Sequence, residues 1–177
     1  MKKVEGSVLW LFEGNPTAKA NLIKEAASRG IESHRLVFSG HIENSEHLAR
    51  QSLADLFLDT LPYNAHTTSS DALWAGLPVL TLMGQSFASR VSASLLTAIG
   101  LPELITQTQE EYENLAIELA TNSEKLFAIK NQLKANLLTE PLFNSQLFTR
   151  HLEAAYAHAY ERYQDNLSPD HIYVKPY

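Results

Sequence analysis

Asp55-Leu-Phe-Leu-Asp59 and Pro78-Val-Leu-Thr-Leu-Met83 are short apolar runs, and between them lies an amphipathic segment from Thr67 to Ala75. Gly76 follows that segment directly, and glycine is common just after the C-terminus of a helix. The order of apolar run, helix and apolar run predicts a βαβ unit. Its two strands are parallel, because the crossover helix returns the chain to the same end of the sheet.

The same alternation extends in both directions along the chain. Further strands are predicted at residues 7–12, 35–38 and 103–106, and further helices at residues 18–30, 43–53 and 86–99. Pro16 is suited to open the first helix, and Asn44 or Ser45 to cap the second. The strand cores are nearly continuous apolar runs, which predicts that helices cover both faces. The predicted fold class is therefore α/β, with a Rossmann-like, doubly wound parallel sheet.

The C-terminal third follows a different pattern. Residues 109–164 are helical in periodicity, with breaks near Asn122 and at Glu140-Pro141, and residues 166–177 show no periodicity. We therefore predict two parts: a Rossmann-like lobe at residues 1–140, and a C-terminal helix with an irregular tail at residues 141–177.

Composition argues against several classes of protein. The 177 residues contain 14 Lys and Arg against 20 Asp and Glu, a net charge of −6, which argues against a broad surface for nucleic acid. Cysteine is absent, which excludes disulfide scaffolds, thiol nucleophiles and cysteine zinc sites. No signal peptide opens the chain and no apolar run reaches 18 residues, so we expect a cytoplasmic protein that does not enter a membrane.

Histidine spacing does not indicate a metal site. His151 and His158 are seven residues apart, about 10 Å along a helix, so they cannot share one ion. A relay of His66, Ser69 and Asp71 would have difficulty orienting itself within one short segment. No Gly-x-Gly-x-x-Gly, P-loop or Gly-x-Ser-x-Gly motif is present, which disfavours NAD enzymes, P-loop NTPases and α/β-hydrolases.

The loop after the third predicted strand is the richest in polar groups. Ligands of doubly wound sheets bind at the carboxyl ends of the strands, where Thr67 to Ser70 open the next helix. Free amides and the helix dipole can hold an anion there, and Asp71 can bind a neighbouring hydroxyl group. The alternative is an ordinary capped helix start. His47 and Arg50 share one helix face, which indicates either a binding site for a planar base or a solvated surface.

Several motifs together resemble one enzyme family. They are Gln51 to Thr60, Asn64-Ala-His-Thr-Thr68, Asp71 to Val79, Ala88 to Ser94, Pro141-Leu-Phe-Asn144 and Pro169-Asp-His171. Their order and spacing resemble the C-terminal catalytic lobe of the protein O-GlcNAc transferase family, including its SPINDLY-like members. The family's enzymes have the two Rossmann-like lobes of the GT-B fold, usually after tetratricopeptide repeats. They transfer GlcNAc, or another hexose, from a UDP-sugar to Ser or Thr of proteins.

The resemblance implies a role for each matching position. The amides and hydroxyls of His66, Thr67 and Thr68 would hold the diphosphate of the UDP-sugar. Asp71 would accept hydrogen bonds from the ribose. No residue of this chain is assigned a catalytic role, the reaction would be inverting, and no metal or other cofactor is implied.

A second group of matching positions would hold the base. His47 would pack on the nucleotide, Arg50 would contact uracil, and the backbone of His41 and Ile42 would meet the edge of the base. Asn44 departs from the pattern, because the family often has a lysine there that reaches the ribose. That contact would be weaker or lost.

The resemblance also implies that parts of the enzyme lie outside this chain. One part is the N-terminal lobe, which carries a candidate catalytic histidine and the acceptor contacts, and another is the repeats. The third is the first strand of the C-terminal lobe, whose following loop brings a lysine to the diphosphate. We therefore expect the chain alone to bind UDP weakly and to transfer no sugar. Two other functions stay open: a non-catalytic interaction module, and another GT-B enzyme such as a UDP-sugar epimerase.

The last helix carries an aromatic series, Phe148, Tyr156, Tyr160 and Tyr163. In GT-B enzymes the last helix crosses to the opposite lobe, so the resemblance implies that these rings face an absent partner and promote self-association. The alternative is that they pack on the chain's own sheet.

Overall fold

The computed structural model describes residues 1–175, so Pro176 and Tyr177, the end of the predicted tail, lie outside the described residues. The strands are β1 (Leu9–Phe12), β2 (Leu36–Ser39), β3 (Phe57–Leu58), β4 (Val79–Leu82) and β5 (Ile105–Thr106). The helices are α1 (Pro16–Ser28), α2 (Asn44–Gln51), α3 (Thr67–Trp74), α4 (Val91–Ala98), α5 (Gln109–Thr121), α6 (Ser123–Thr139) and α7 (Ser145–Gln164). The order of strands and helices is the predicted one.

All observed strand pairs are parallel. β1 pairs with β2, with Leu9 opposite Leu36, and β4 lies between β3 and β5. The prediction of an α/β fold with parallel strands is confirmed. Within residues 1–175, however, the strands form two separate sheets, β1–β2 and β3–β4–β5.

The buried side chains of the hydrophobic core lie between residues 72 and 133. They come from the α3–β4 unit and from the elements that follow it: Ala72, Leu73, Leu77, Val79, Leu96, Ile99, Leu101, Leu104, Leu119, Ile129 and Leu133. Complete burial of one such large side chain contributes roughly 1.5–3 kcal/mol. The loops that leave β3 and β4 are therefore anchored in the best-packed part of the protein.

The first strand and helix are packed more loosely. In β1, half-buried and exposed residues alternate, and Trp10 and Phe12 are 38% and 61% exposed. Helix α1 contains no buried residue. The prediction that both faces of each strand are covered is therefore wrong for β1, because one of its faces lies largely open to solvent.

The predicted helix at residues 86–99 is interrupted. Ser86 and Ser89 form a capping box, in which each side chain bonds to the backbone of the other, around a 3₁₀ turn at Phe87–Ser89. Helix α4 begins only after this turn, at Val91. Local hydrogen bonds of serine thus displace the helix start that apolar periodicity predicts.

The aromatic series of α7 points to solvent. Phe148, Tyr156, Tyr160 and Tyr163 are 64%, 66%, 64% and 74% exposed, so the alternative that they pack on the chain's own sheet is wrong. Self-association through them stays a prediction. Among the described helices, including this longest one, none is long and apolar enough to cross a bilayer.

Candidate functional site

The N-terminus of α3 has no side-chain cap. Its N-cap residue is His66, whose side chain makes no capping bond, and Thr67 and Thr68 are exposed. The starts of α2 and α4 likewise lack a side-chain cap, whereas the N-caps of α1, α5, α6 and α7 each accept a backbone hydrogen bond through a side chain, namely Asn15, Thr108, Asn122 and Asn144. The interpretation of Thr67 to Ser70 as ordinary capping residues is therefore not supported. The first amides of α3 are available to an anion.

Asp71 lies one turn further along the same helix. It is half-buried, and its side chain has no hydrogen-bond or ion-pair partner among the described residues. Residues three and four apart share a helix face, so the Asp71 carboxylate lies on the same side as Thr67 and Thr68. Hydroxyl donors, a free carboxylate and a positive helix end thus lie within one turn, an arrangement suited to a ligand with both a phosphate and neighbouring hydroxyl groups.

The His66 ring is held by its neighbours. It stacks on Tyr63 with ring centroids 4.9 Å apart, and the edge contact with Phe87 is 5.9 Å between centroids. His66 Nε2 lies 3.4 Å from the carbonyl oxygen of Ala88, a contact that requires the proton on Nε2. These contacts restrict the orientation of the His66 ring beside the first amides of α3.

His47 and Arg50 lie on one face of α2, as their spacing predicts, and their side chains contact each other. Arg50 Nη2 lies 2.9 Å from His47 Nδ1. Arg50 Nη1 donates a hydrogen bond to the carbonyl oxygen of Gly40 at 3.0 Å. This bond ties α2 to the segment that holds His41, which is exposed, and Ile42, which is half-buried. The cation and the imidazole therefore form a preformed pair beside that segment.

The start of α2 differs from the prediction. Its N-cap is Glu43, which makes no side-chain capping bond, so the predicted cap at Asn44 or Ser45 is wrong. Helix α2 packs against α3. This contact brings the predicted base-binding helix next to the predicted diphosphate-binding helix, although their site residues are far apart in sequence.

Sequence reasoning missed the residues that hold the loop between β3 and α3. Asp59 and Asn64 are 5% and 0% exposed. Asp59 follows the apolar residues of β3 directly, at the edge of the sheet where ligands bind, and this position was the one available signal. A cavity of about 390 Å³ also opens at this edge, lined in part by Leu61, Leu82 and Gln107.

Tyr112 supports the same loop from α5. Its hydroxyl donates to the carbonyl oxygen of Asp59 at 2.9 Å. Burial raises the pKa of Tyr112 well above the ordinary value, and the negative charge of Asp59 raises it further. The phenol therefore remains a neutral donor at physiological pH.

This pKa shift predicts a stability difference at alkaline pH. The unfolded chain loses the Tyr112 proton near pH 10, whereas the folded chain loses it only at higher pH. The contribution of this shift to the free energy of unfolding is therefore complete below pH 10 and is lost as the pH rises above 10. The free energy of unfolding then falls by at most about 1.4 kcal/mol per pH unit, and by less here because solvent screens the partly buried ring. In urea titrations, wild type should lose stability faster between pH 10 and 11.5 than Tyr112→Phe. Equal slopes would contradict this prediction.

The described residues contain no group of three His, Cys, Asp or Glu side chains that could hold a metal ion. Metal independence stays a prediction.

The chain is similar to known proteins over most of its length. The model of the family "Glycosyl transferase family 41" matches residues 1–152. The chain is 37% identical over 175 residues to the probable UDP-N-acetylglucosamine–peptide N-acetylglucosaminyltransferase SEC of Arabidopsis thaliana, covering 98% of this chain and 18% of that protein. It is 38% identical over 141 residues to the SPINDLY protein of Hordeum vulgare, covering 79% of this chain and 15% of that protein.

A solved structure is similar as well. A K341M mutant of the Thermobaculum terrenum O-GlcNAc transferase superposes with a TM-score of 0.79 at 36% identity, over 84% of this chain and 29% of that one. The chain thus spans less than a fifth of the length of these two curated relatives.

Proposed function

The chain belongs to glycosyl transferase family 41, and from this membership we propose that it forms the UDP-sugar-binding part of a protein O-glycosyltransferase. The whole enzyme would transfer GlcNAc, or another hexose, to Ser or Thr of proteins. One observation carries the proposal: the uncapped start of α3, with Thr67, Thr68 and the unpartnered Asp71 on one face. These are the positions that the family resemblance assigns to diphosphate and ribose.

The chemistry proposed for this site is leaving-group stabilisation. As the bond between sugar and phosphate breaks, negative charge grows on the β-phosphate of UDP. The amides at the start of α3 and the hydroxyls of Thr67 and Thr68 would donate to that charge. Because the helix holds these dipoles in place, they need not reorganise during the reaction. The acceptor hydroxyl would attack from the opposite side of the sugar, which makes the reaction inverting.

The base would lie against α2. The proposal assigns His47 to packing on the nucleotide, Arg50 to uracil, and the backbone of His41 and Ile42 to the edge of the base. The packing of α2 on α3 supports this assignment, because one nucleotide has to reach both helices. The Arg50–His47 contact supports it too, since the cation is already oriented before a ligand arrives.

A UDP titration tests the assignment of the site. We expect Asp71→Ala to weaken UDP binding by about 10- to 100-fold, since bonds to a charged group contribute about 1.5–3 kcal/mol. Thr68→Ala should weaken it several-fold. Ligand-observed NMR suits the expected affinity, which is in the high micromolar range or weaker, because the remaining neutral hydrogen bonds are opposed by the cost of association.

Asp165→Ala serves as the control for this titration. Asp165 is also a carboxylate at the end of a helix, but it is exposed and is the C-cap residue of α7, at the opposite helix end from the one that Asp71 follows. Its removal should leave UDP binding unchanged. If the wild type binds UDP and neither Asp71→Ala nor Thr68→Ala weakens it, the site assignment is wrong, and the alternative of an interaction module without a donor site gains support.

We further propose that the lobe is completed by a strand from polypeptide outside these residues. The usual doubly wound order is 3-2-1-4-5-6. The observed sheets, β2–β1 and β3–β4–β5, correspond to the two sides of that order without its central strand. The exposure of Trp10, Phe12 and Leu58, at 38%, 61% and 42%, supports the proposal, because strands of parallel sheets are normally covered on both faces.

The remaining features of the proposed enzyme follow the family. It would act without a metal ion, in the cytoplasm, on protein acceptors that are bound mainly by regions outside this chain. The exposed rings of α7 would face the opposite lobe.

A further inference from the structure

The loop between β3 and α3 is closed by a buried carboxylate. Asp59 Oδ1 accepts hydrogen bonds from the amides of Thr60, at 2.8 Å, and Ala65, at 2.7 Å. Its second oxygen, Oδ2, accepts from the Thr81 hydroxyl at 2.7 Å. Both ends of the loop are therefore joined through one side chain, which is in turn attached to the middle strand of the sheet.

Ala65 is also held from the opposite side. Its carbonyl oxygen accepts from the Ser92 hydroxyl of α4 at 2.8 Å, and Ser92 Oγ lies 2.8 Å from Ser69 Oγ. Since the one hydroxyl proton of Ser92 is used on Ala65, Ser69 donates to Ser92. The Ser69 side chain thus points into the protein, while Thr67 and Thr68 on the same helix remain exposed.

Ala65 directly precedes His66, the N-cap of α3. Fixing both the amide and the carbonyl of Ala65 sets the direction in which the chain enters the helix, and therefore where its first amides point. A carboxylate suits this task, because its two oxygens can accept from two amides and a hydroxyl at once. A buried charge is tolerated only when it is satisfied in this way.

We propose that Asp59 and Ser92 are positioning residues for the donor site, holding Ala65 so that the start of α3 is preformed for the diphosphate. The inference rests on the proposed function for the identity of the ligand. Neither side chain would touch UDP. Both would act through the Ala65 peptide.

Four variants of the 177-residue chain test the inference, with UDP as the probe. Asp59→Ala removes the acceptor of both amides and should weaken UDP binding at least about tenfold. Ser92→Ala should weaken it about three- to tenfold, and it decides the question if Asp59→Ala does not fold, because alanine is a strong helix former. Asp59→Asn keeps Oδ1 and should restore binding to within about threefold of wild type.

Thr106→Val is the matched control. Thr106 is a buried threonine of β5 whose hydroxyl donates to the carbonyl of Thr81 at 2.9 Å, and among the described residues its side chain makes no hydrogen bond to residues 60–66. This variant should lose stability in urea yet bind UDP as wild type does. Amide hydrogen exchange of residues 60–68 should rise in Asp59→Ala and Ser92→Ala and stay unchanged in Thr106→Val.

The outcomes separate the two proposals. Absence of UDP binding by wild type would refute the proposed function, and the exchange of residues 60–68 would then still decide the positioning role. Unchanged amide exchange of residues 60–68 in both Asp59→Ala and Ser92→Ala overturns the inference. It is also overturned if Thr106→Val weakens UDP binding as much as Asp59→Ala and Ser92→Ala do. Failure of Asp59→Asn to restore binding also contradicts it, because the role would then depend on the charge rather than on the geometry of Oδ1.

Discussion

Replacement of Leu96 by alanine is expected to lower the free energy of unfolding by about 2–5 kcal/mol, a large part of the stability of a domain of this size. Leu96 lies on α4, is fully buried, and belongs to the hydrophobic core, whose buried residues lie between residues 72 and 133. The loss of stability has two sources: the smaller side chain removes less apolar surface from water on folding, and a cavity remains in the core. Urea unfolding followed by circular dichroism measures it.

Leu138→Ala is the matched control for this prediction. Leu138 is also a helical leucine, near the end of α6, but it is 89% exposed, so its replacement should change stability by less than about 0.5 kcal/mol. Similar values for Leu96→Ala and Leu138→Ala would contradict the position of the core described above.

The second prediction is that the isolated chain has no sugar-transfer activity. Incubated with UDP-GlcNAc or UDP-glucose and a Ser- and Thr-rich peptide, the 177 residues alone are expected to add no sugar. The proposed donor site would lie open to water, where the dipoles of α3 stabilise charge less than in a closed cleft. No acceptor would be held beside the donor, so the entropic advantage of a bound pair of reactants would also be missing.

Mass spectrometry of the peptide measures this result. The unmutated Thermobaculum terrenum O-GlcNAc transferase, whose K341M mutant is similar in structure over 84% of this chain, can be run in parallel to establish that the assay detects transfer. Any sugar added by the 177 residues would refute the proposal that the catalytic apparatus is divided between two lobes.

The order of elements could be predicted from the sequence because it depends on local signals. Pro16 does open α1, after Asn15 as its cap, and Gly76 follows α3 in the left-handed conformation that glycine allows. The apolar run at residues 78–83 predicted β4, which is among the best-buried strands. Predictions failed where local side-chain bonds compete with periodicity, as at the Ser86–Ser89 capping box.

The residues of the candidate site could be predicted from the sequence only where their contacts are local. The spacing of His47 and Arg50 was enough to place them on one helix face, because residues three apart on a helix are neighbours, and the structure shows that they contact each other there. The burial of Asp59 could not be predicted, since its partners include Thr81, 22 residues away, and nothing local to a carboxylate indicates which distant hydroxyl it will meet. The unpartnered state of Asp71 likewise depends on which side chains the fold brings near it.

The sequence by itself determined the α/β class, the direction of the strands and the segments that carry polar groups at the carboxyl edge, because periodicity and helix-end residues act over a few positions. Only the tertiary structure decided that the strands divide into two sheets, that the buried core lies between residues 72 and 133, and that Asp59 and Ser92 meet at Ala65. These features depend on contacts between distant residues. Such contacts are chosen by the packing of the whole chain, and no local pattern specifies them.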